Sequence, residues 1–153
     1  MSERDEIVSS SPNETFLLGE KLGESLNGGE VLLLTGGLGA GKTLLTKGIL
    51  SGLDYDVDEV TSPSFTLVNL YETPRFNVYH IDLWRSEPEF ARFSVGLDEI
   101  LEDDTAVVIV EWAERLGEIS FDRPAMRIGI TGEGDEPRRI SVTSLELDPS
   151  ASV

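Results

Sequence analysis

The stretch Thr35-Gly36-Gly37-Leu38-Gly39-Ala40-Gly41-Lys42-Thr43 sets Gly36, Gly41, Lys42 and Thr43 at the spacing G-x-x-x-x-G-K-[ST]. Glycines let a backbone curl until successive N–H groups converge on one anion, so the stretch reads as a phosphate-binding loop. Lys42 would reach the β- and γ-phosphates as a mobile charge, and the Thr43 hydroxyl would ligate Mg²⁺. By chance this spacing arises in roughly one in a few hundred chains of this size.

The flanks make the reading specific. Glu30-Val31-Leu32-Leu33-Leu34-Thr35 is a short apolar run suited to a strand buried on both faces. From Lys42 to Leu53, the residues Leu45, Ile49 and Leu53 recur at helical spacing. Strand, glycine loop and helix come in the order the chemistry needs, because a helix N-terminus adds positive potential at the phosphates. The chain is expected to bind a nucleoside triphosphate. It lacks Asn-Lys-x-Asp, by which most small GTPases read guanine, and ATP is therefore preferred over GTP.

With 153 residues and no cysteine, the chain reads as one domain that buries a core without disulfides or thiolate metal sites. The polar start Met1-Ser2-Glu3-Arg4-Asp5-Glu6 and the lack of a long apolar run predict a cytoplasmic protein with no membrane segment. The formal net charge is −17, from 29 acidic and 12 basic residues. Such a chain repels nucleic acid overall, which predicts no strong direct binding of tRNA or DNA. A bound nucleotide is held locally by loop amides, Lys42 and Mg²⁺, where long-range repulsion is screened.

Residues 1–10 read as a flexible N-terminal lead, 11–147 as a single ATPase domain and 148–153 as a disordered tail. Ser11-Pro12-Asn13-Glu14 is a capping box with proline at the first helical position. The helix it opens should run to about Leu26, burying Phe16, Leu18, Leu22 and Leu26, and stop at Asn27-Gly28-Gly29. Phe65 to Tyr71 and Phe76 to Ile81 predict a β-hairpin around Glu72-Thr73-Pro74-Arg75. Ser86-Glu87-Pro88-Glu89 should cap a short helix around Phe90 and Phe93, with a further helical turn over Gly96 to Leu101. Ala106 to Val110 is a second fully apolar strand, and Met126–Ile130 with Arg139–Thr143 predicts a late hairpin. Buried strands plus hairpins predict an α/β fold of the phosphate-loop NTPase type, three layers around a mixed parallel/antiparallel sheet.

A nucleotide site also needs a carboxylate near Mg²⁺, commonly at the end of a neighbouring strand. Glu111 ends the run Val107 to Val110, and Asp82 ends Val78-Tyr79-His80-Ile81. Both fall where open α/β sheets place ligands, although either could be an ordinary surface acid in so acidic a chain. Thr61-Ser62-Pro63-Ser64-Phe65-Thr66 could close over the γ-phosphate as a switch, or be a simple turn before a strand. Trp112 could line the nucleotide pocket, face a partner or pack in the core. His80, the sole histidine, reads better as a packed or hydrogen-bonded residue than as a catalytic base, and Arg85 better as solvent-exposed than as phosphate-binding.

The loop through Lys47-Gly48, the segment Thr61 to Val68, Tyr79-His80-Ile81-Asp82-Leu83-Trp84-Arg85 and Val110-Glu111-Trp112-Ala113-Glu114-Arg115 together resemble the TsaE family. That family comprises small bacterial ATPases of tRNA threonylcarbamoyladenosine biosynthesis. Ser64 stands where threonine is common in the family and Trp84 where tyrosine is common; both changes keep size or polarity. The resemblance implies that TsaD and TsaB proteins are partners and perform the threonylcarbamoyl transfer to the adenosine next to the anticodon, in tRNAs reading codons that begin with A. It implies slow ATP hydrolysis that supports turnover of the complex, with tRNA met only through the partners. By position, Leu38, Gly39, Ala40, Gly41, Lys42 and Thr43 would bind the triphosphate, and Thr43 and Glu111 would hold Mg²⁺. Asp82 would assist the metal or the attacking water, Trp112 would be a functional aromatic beside the site, and Thr15 would approach the adenine.

Two other readings fit a phosphate loop. A small-molecule kinase would need an acceptor pocket and an arginine-rich lid, for which Arg85 and Arg92 are the central candidates. A nucleotide-dependent binding module would tolerate loss of Glu111 or Asp82 but not of Lys42. The acidity further suggests a salt-rich cytoplasm in which self-repulsion is screened; thermal stability should then rise with added KCl, and a flat melting temperature would contradict it.

Overall fold

A computed structural model describes residues 4–37, 39–60, 68–84 and 95–145. Its seven strands are β1 (Arg4–Ser9), β2 (Val31–Gly36), β3 (Val68–Glu72), β4 (Asn77–Asp82), β5 (Val107–Glu111), β6 (Ala125–Thr131) and β7 (Arg138–Leu145). They form one sheet in the order β1-β7-β6-β2-β5-β4-β3. The inner four strands, β6, β2, β5 and β4, run parallel, while β3, β7 and β1 each pair antiparallel to their neighbour. The sheet is therefore mixed, as the buried runs and hairpins predict.

Strand periodicity divides the core in two. Leu32, Leu34, Val107 and Ile109 face helices α1 (Pro12–Ser25) and α2 (Lys42–Gly52), meeting Leu45 and Ile49. Val31, Leu33, Val108 and Val110 face the other way, onto Leu97, Ile100, Ala113 and Phe121. The short helix Leu97–Ile100 and the 3-10 turn Ala113–Leu116 contribute to that second cover. Because the side chains alternate, Val31–Leu34 and Val107–Val110 are apolar and buried on both faces, and only the strand ends, Thr35-Gly36 and Glu111, break that pattern.

The Ser11 hydroxyl accepts from the Glu14 N–H at 3.1 Å, and the Glu14 carboxylate reaches back to the Ser10 N–H, so the cap expected there starts α1. The buried stripe of α1 differs from expectation. Thr15, Gly19 and Gly23 are buried, whereas Phe16, Leu18 and Leu22 are only partly covered. The cause is a backbone-on-backbone crossing with α2. A Cβ on Gly19 would lie 2.5 Å from the Leu45 carbonyl oxygen, and one on Gly48 would lie 2.3 Å from that of Phe16. Gly23 against Ile49 and Gly52 against Glu20 repeat the contact one turn along. Two small-x-x-x-small faces bring the helices together, and the leucines flank the seam.

Residues 4–9, expected within a flexible lead, form edge strand β1 in register with β7, from Arg4↔Thr143 to Ser9↔Arg138. Backbone pairing rather than side-chain burial holds them, since Asp5 to Val8 are all exposed. The hairpin β3–β4 is present from Val68 onward; Phe65 to Leu67, the segment Thr61–Thr66, the helix expected around Phe90 and Phe93 and the tail from 148 lie outside the described residues. No described helix is long and apolar enough to cross a membrane.

The glycine seam yields a test. Alanine in a helix is favoured over glycine by about 1 kcal/mol, but here the added methyl meets a carbonyl that cannot rotate away. Gly48→Ala should lower the unfolding free energy in urea by about 1–3 kcal/mol, whereas Gly37→Ala, with nothing within 4 Å of the new Cβ, should change it little.

Candidate active site

All four inner strands end on one edge, and the loop Gly36–Gly41 leaves β2 at that edge. Gly41 is the N-cap of α2, with φ 113°, and supplies no side chain to the helix end. The free amides of the first turn are thus available to an anion in place of a capping hydroxyl. Gly36 has φ 147° and lies so close to β6 that a Cβ would stand 2.5 Å from the Ile130 carbonyl oxygen. Only glycine leaves the strand there. Leu38 lies outside the described residues; Gly39 and Ala40 continue the loop, and the Ala40 N–H donates to the Gly37 carbonyl at 3.2 Å.

Lys42 is 5 % exposed. Its Nζ donates to the carbonyls of Gly36 at 2.6 Å and Gly37 at 2.9 Å and stands 3.9 Å from the centre of the Trp112 ring. Burial lowers its pKa below the ordinary lysine value, against the opposing attraction of Glu111, Glu114 and Asp82. An incoming phosphate would restore that lost stabilisation of the charge.

Three acceptor and donor groups meet beside it because of strand parity. His80 and Asp82 share one face of β4, and Asp82 is the register partner of Glu111 on β5. Glu111 falls on the α2 side with Val107 and Ile109, and there the Thr43 hydroxyl donates to its Oε1 at 3.2 Å. His80 Nε2 contacts Glu111 Oε2, while its Nδ1 is buried without a hydrogen-bond partner among the described residues. The expectation of a packed, hydrogen-bonded His80 agrees with its contact to Glu111. Asp82, also buried, accepts from the Trp84 N–H at 2.8 Å.

Trp112 has φ 59°, a conformation rare for a bulky residue, and this turns its ring back over the loop. Trp84 stacks on it with centroids 4.3 Å apart, and the Arg115 guanidinium lies 5.6 Å from the Trp84 ring. Lys42, Trp112, Trp84 and Arg115 so alternate cation, ring, ring, cation. In the sequence Trp84 and Arg115 fall within the segments that carry the family resemblance but have no assigned role, whereas Trp112, adjacent to Glu111, has one.

On the opposite flank of the loop, Thr15 Oγ1 hydrogen-bonds Ser9 Oγ at 2.7 Å, and its methyl approaches Gly41. Here a cavity of about 370 Å³ opens between Gly39–Gly41, the first turn of α1 and the turn joining β6 to β7. It is of the size that takes a small ligand. Thr15 thus lies on the loop, 26 residues from Gly41 in sequence but in contact range in space. Asp82, Glu111, Lys42, Thr43, Thr15 and Trp112 all gather round this one edge. Thr61–Thr66, Arg85 and Arg92, which the switch and kinase readings use, are outside the described residues.

Among the described residues no three His, Cys, Asp or Glu side chains cluster as a metal cage. The adjacent hard oxygens of Thr43 and Glu111 suit Mg²⁺ nonetheless, because that ion takes one or two protein oxygens and completes its shell with phosphate and water.

A family model described as threonylcarbamoyl adenosine biosynthesis protein TsaE matches residues 9–140. A tRNA threonylcarbamoyladenosine biosynthesis protein TsaE from a Nostoc species is 42% identical over 113 residues, covering 72% of this chain and 68% of that one. The Bacillus subtilis protein of the same name is 36% identical over 135 residues, covering 88% and 82%. The crystal structure of Bacillus subtilis YdiB superposes with a TM-score of 0.75 at 31% identity, covering 95% of this chain and 88% of that one. By motif, fold and these likenesses, the chain belongs to the TsaE family of tRNA threonylcarbamoyladenosine biosynthesis.

Proposed function

We propose that the chain is a Mg²⁺-dependent ATPase that acts with TsaD and TsaB proteins in threonylcarbamoylating the adenosine next to the anticodon of tRNAs reading codons that begin with A. The observation that carries this is the contact of Thr43 with Glu111, which sets a phosphate-loop hydroxyl against a strand-end carboxylate.

The loop amides from Gly39 to Thr43 would bind the phosphates, and Lys42 would swing from the Gly36 and Gly37 carbonyls onto them. Thr43 and Glu111 would hold Mg²⁺, which when bound neutralises charge on the phosphate oxygens. Asp82 would orient the attacking water, and His80 would fix the Glu111 carboxylate. Trp112 would cover Lys42 and exclude solvent, while the cavity at Thr15 would take the nucleobase. Hydrolysis at this site would support turnover of the partners rather than carry out the transfer itself. With a net charge of −17, contact with tRNA would come through those partners.

Lys42→Ala should abolish hydrolysis and weaken nucleotide binding, whereas Glu111→Gln should cut turnover by roughly 100-fold or more while nucleotide is still bound. Hydrolysis measured with and without TsaD and TsaB checks this; a Glu111→Gln chain as active as wild type would sink the assignment. Because the Trp112 ring stands 3.9 Å from Lys42 Nζ, while Trp84 contacts Trp112 rather than Lys42, an ATP analogue should shift intrinsic fluorescence in wild type and Trp84→Phe. The shift should disappear in Trp112→Phe; an equal shift there would remove Trp112 from the site.

A further inference from the structure

Arg138 opens β7 at the rim of the cavity, and its guanidinium joins two otherwise separate segments. On one side Nε donates to the Ala40 carbonyl at 3.1 Å, and Nη2 lies 3.5 Å from that of Gly39. On the other, Nη2 donates to the Gly134 carbonyl at 3.1 Å and Nη1 to that of Glu136. Every partner is a backbone carbonyl, so the contact reads main-chain position rather than a charge.

The phosphate loop needs such a brace. Gly36, Gly37, Gly39 and Gly41 give it close approach to an anion but leave it many conformations, and each must be frozen out on binding. In a trans peptide the C=O and the following N–H point to opposite sides. A donor gripping the Ala40 carbonyl from outside therefore turns the Gly41 N–H inward, toward the helix end. A cation on that carbonyl also polarises the peptide and strengthens the N–H as a donor. The planar fork of arginine can span loop and turn together; a lysine ammonium cannot.

We propose that Arg138 is a positioning residue that pre-organises the phosphate loop by bracing Gly39–Ala40 against the β6–β7 turn. This deepens the nucleotide-binding reading above and rests on it. Arg138→Ala and Arg138→Lys can be compared with wild type by titration with a fluorescent, slowly hydrolysed ATP analogue and Mg²⁺, alongside thermal unfolding without nucleotide. Arg138→Ala should bind about tenfold more weakly, with KM raised and kcat nearly unchanged, and Arg138→Lys should recover only part. Millimolar guanidinium should restore affinity to Arg138→Ala while leaving Arg138→Lys unaffected. Equal affinity in all three chains would overturn the brace alone. So would affinity losses that merely follow a drop in melting temperature in both variants. A wild-type chain that bound no analogue would overturn the nucleotide reading and the brace with it.

Discussion

The parallel pairing of β2 with β5, in the register that sets Leu34 beside Glu111, is the constraint on which the site depends. Side chains alternate along a strand, so a slip of one residue would carry Glu111 to the opposite face of the sheet. In the observed register Val107, Ile109 and Glu111 share the face that α2 covers, and Thr43 at the start of α2 meets the carboxylate. The same parity on β4 delivers His80 and Asp82 to that face. Apolar burial of the strand interiors thus determines where the polar groups at their ends must lie.

Those polar groups cost stability. Lys42, Asp82, Glu111 and His80 are all nearly or fully buried, and burial of unpaired charge is strongly unfavourable. Mutual pairing offsets part of this, through Thr43 and His80 on Glu111 and the loop carbonyls on Lys42. The left-handed backbone at Trp112 adds strain of the order of 1–3 kcal/mol, held in place by the Trp84 stack and the strand before it. The two continuous cores and the glycine seam between α1 and α2 supply the rigidity that keeps these groups together. Thr15 reaches Gly41 only because that seam lets α1 lie so close.

The parts legible in the sequence are those fixed locally. Loop spacing and the apolar runs located Lys42, Thr43, Glu111 and Asp82, because strand ends are where an open sheet exposes side chains. Strand β1 was not legible: Arg-Asp-Glu-Ile-Val-Ser has little apolar patterning, and its pairing partner β7 lies more than a hundred residues away. Of the apolar stripe expected on α1, Leu26 is buried and Leu18 and Leu22 pack against the core, but periodicity weighs leucine and overlooks glycine, so the Gly19–Gly23 seam was not legible. Arg138 gave no signal at all; it follows a polar turn, next to another arginine, and acquires meaning only when the turn folds back over the loop.

The proposed function has one central requirement, a single Mg²⁺–nucleotide site at the Thr43–Glu111 junction. Calorimetric titration of the purified chain with a slowly hydrolysed ATP analogue, in Mg²⁺ and in EDTA, measures that requirement directly. One site per chain, much tighter with Mg²⁺ than without, is the predicted result. No binding, or binding indifferent to Mg²⁺, would contradict it.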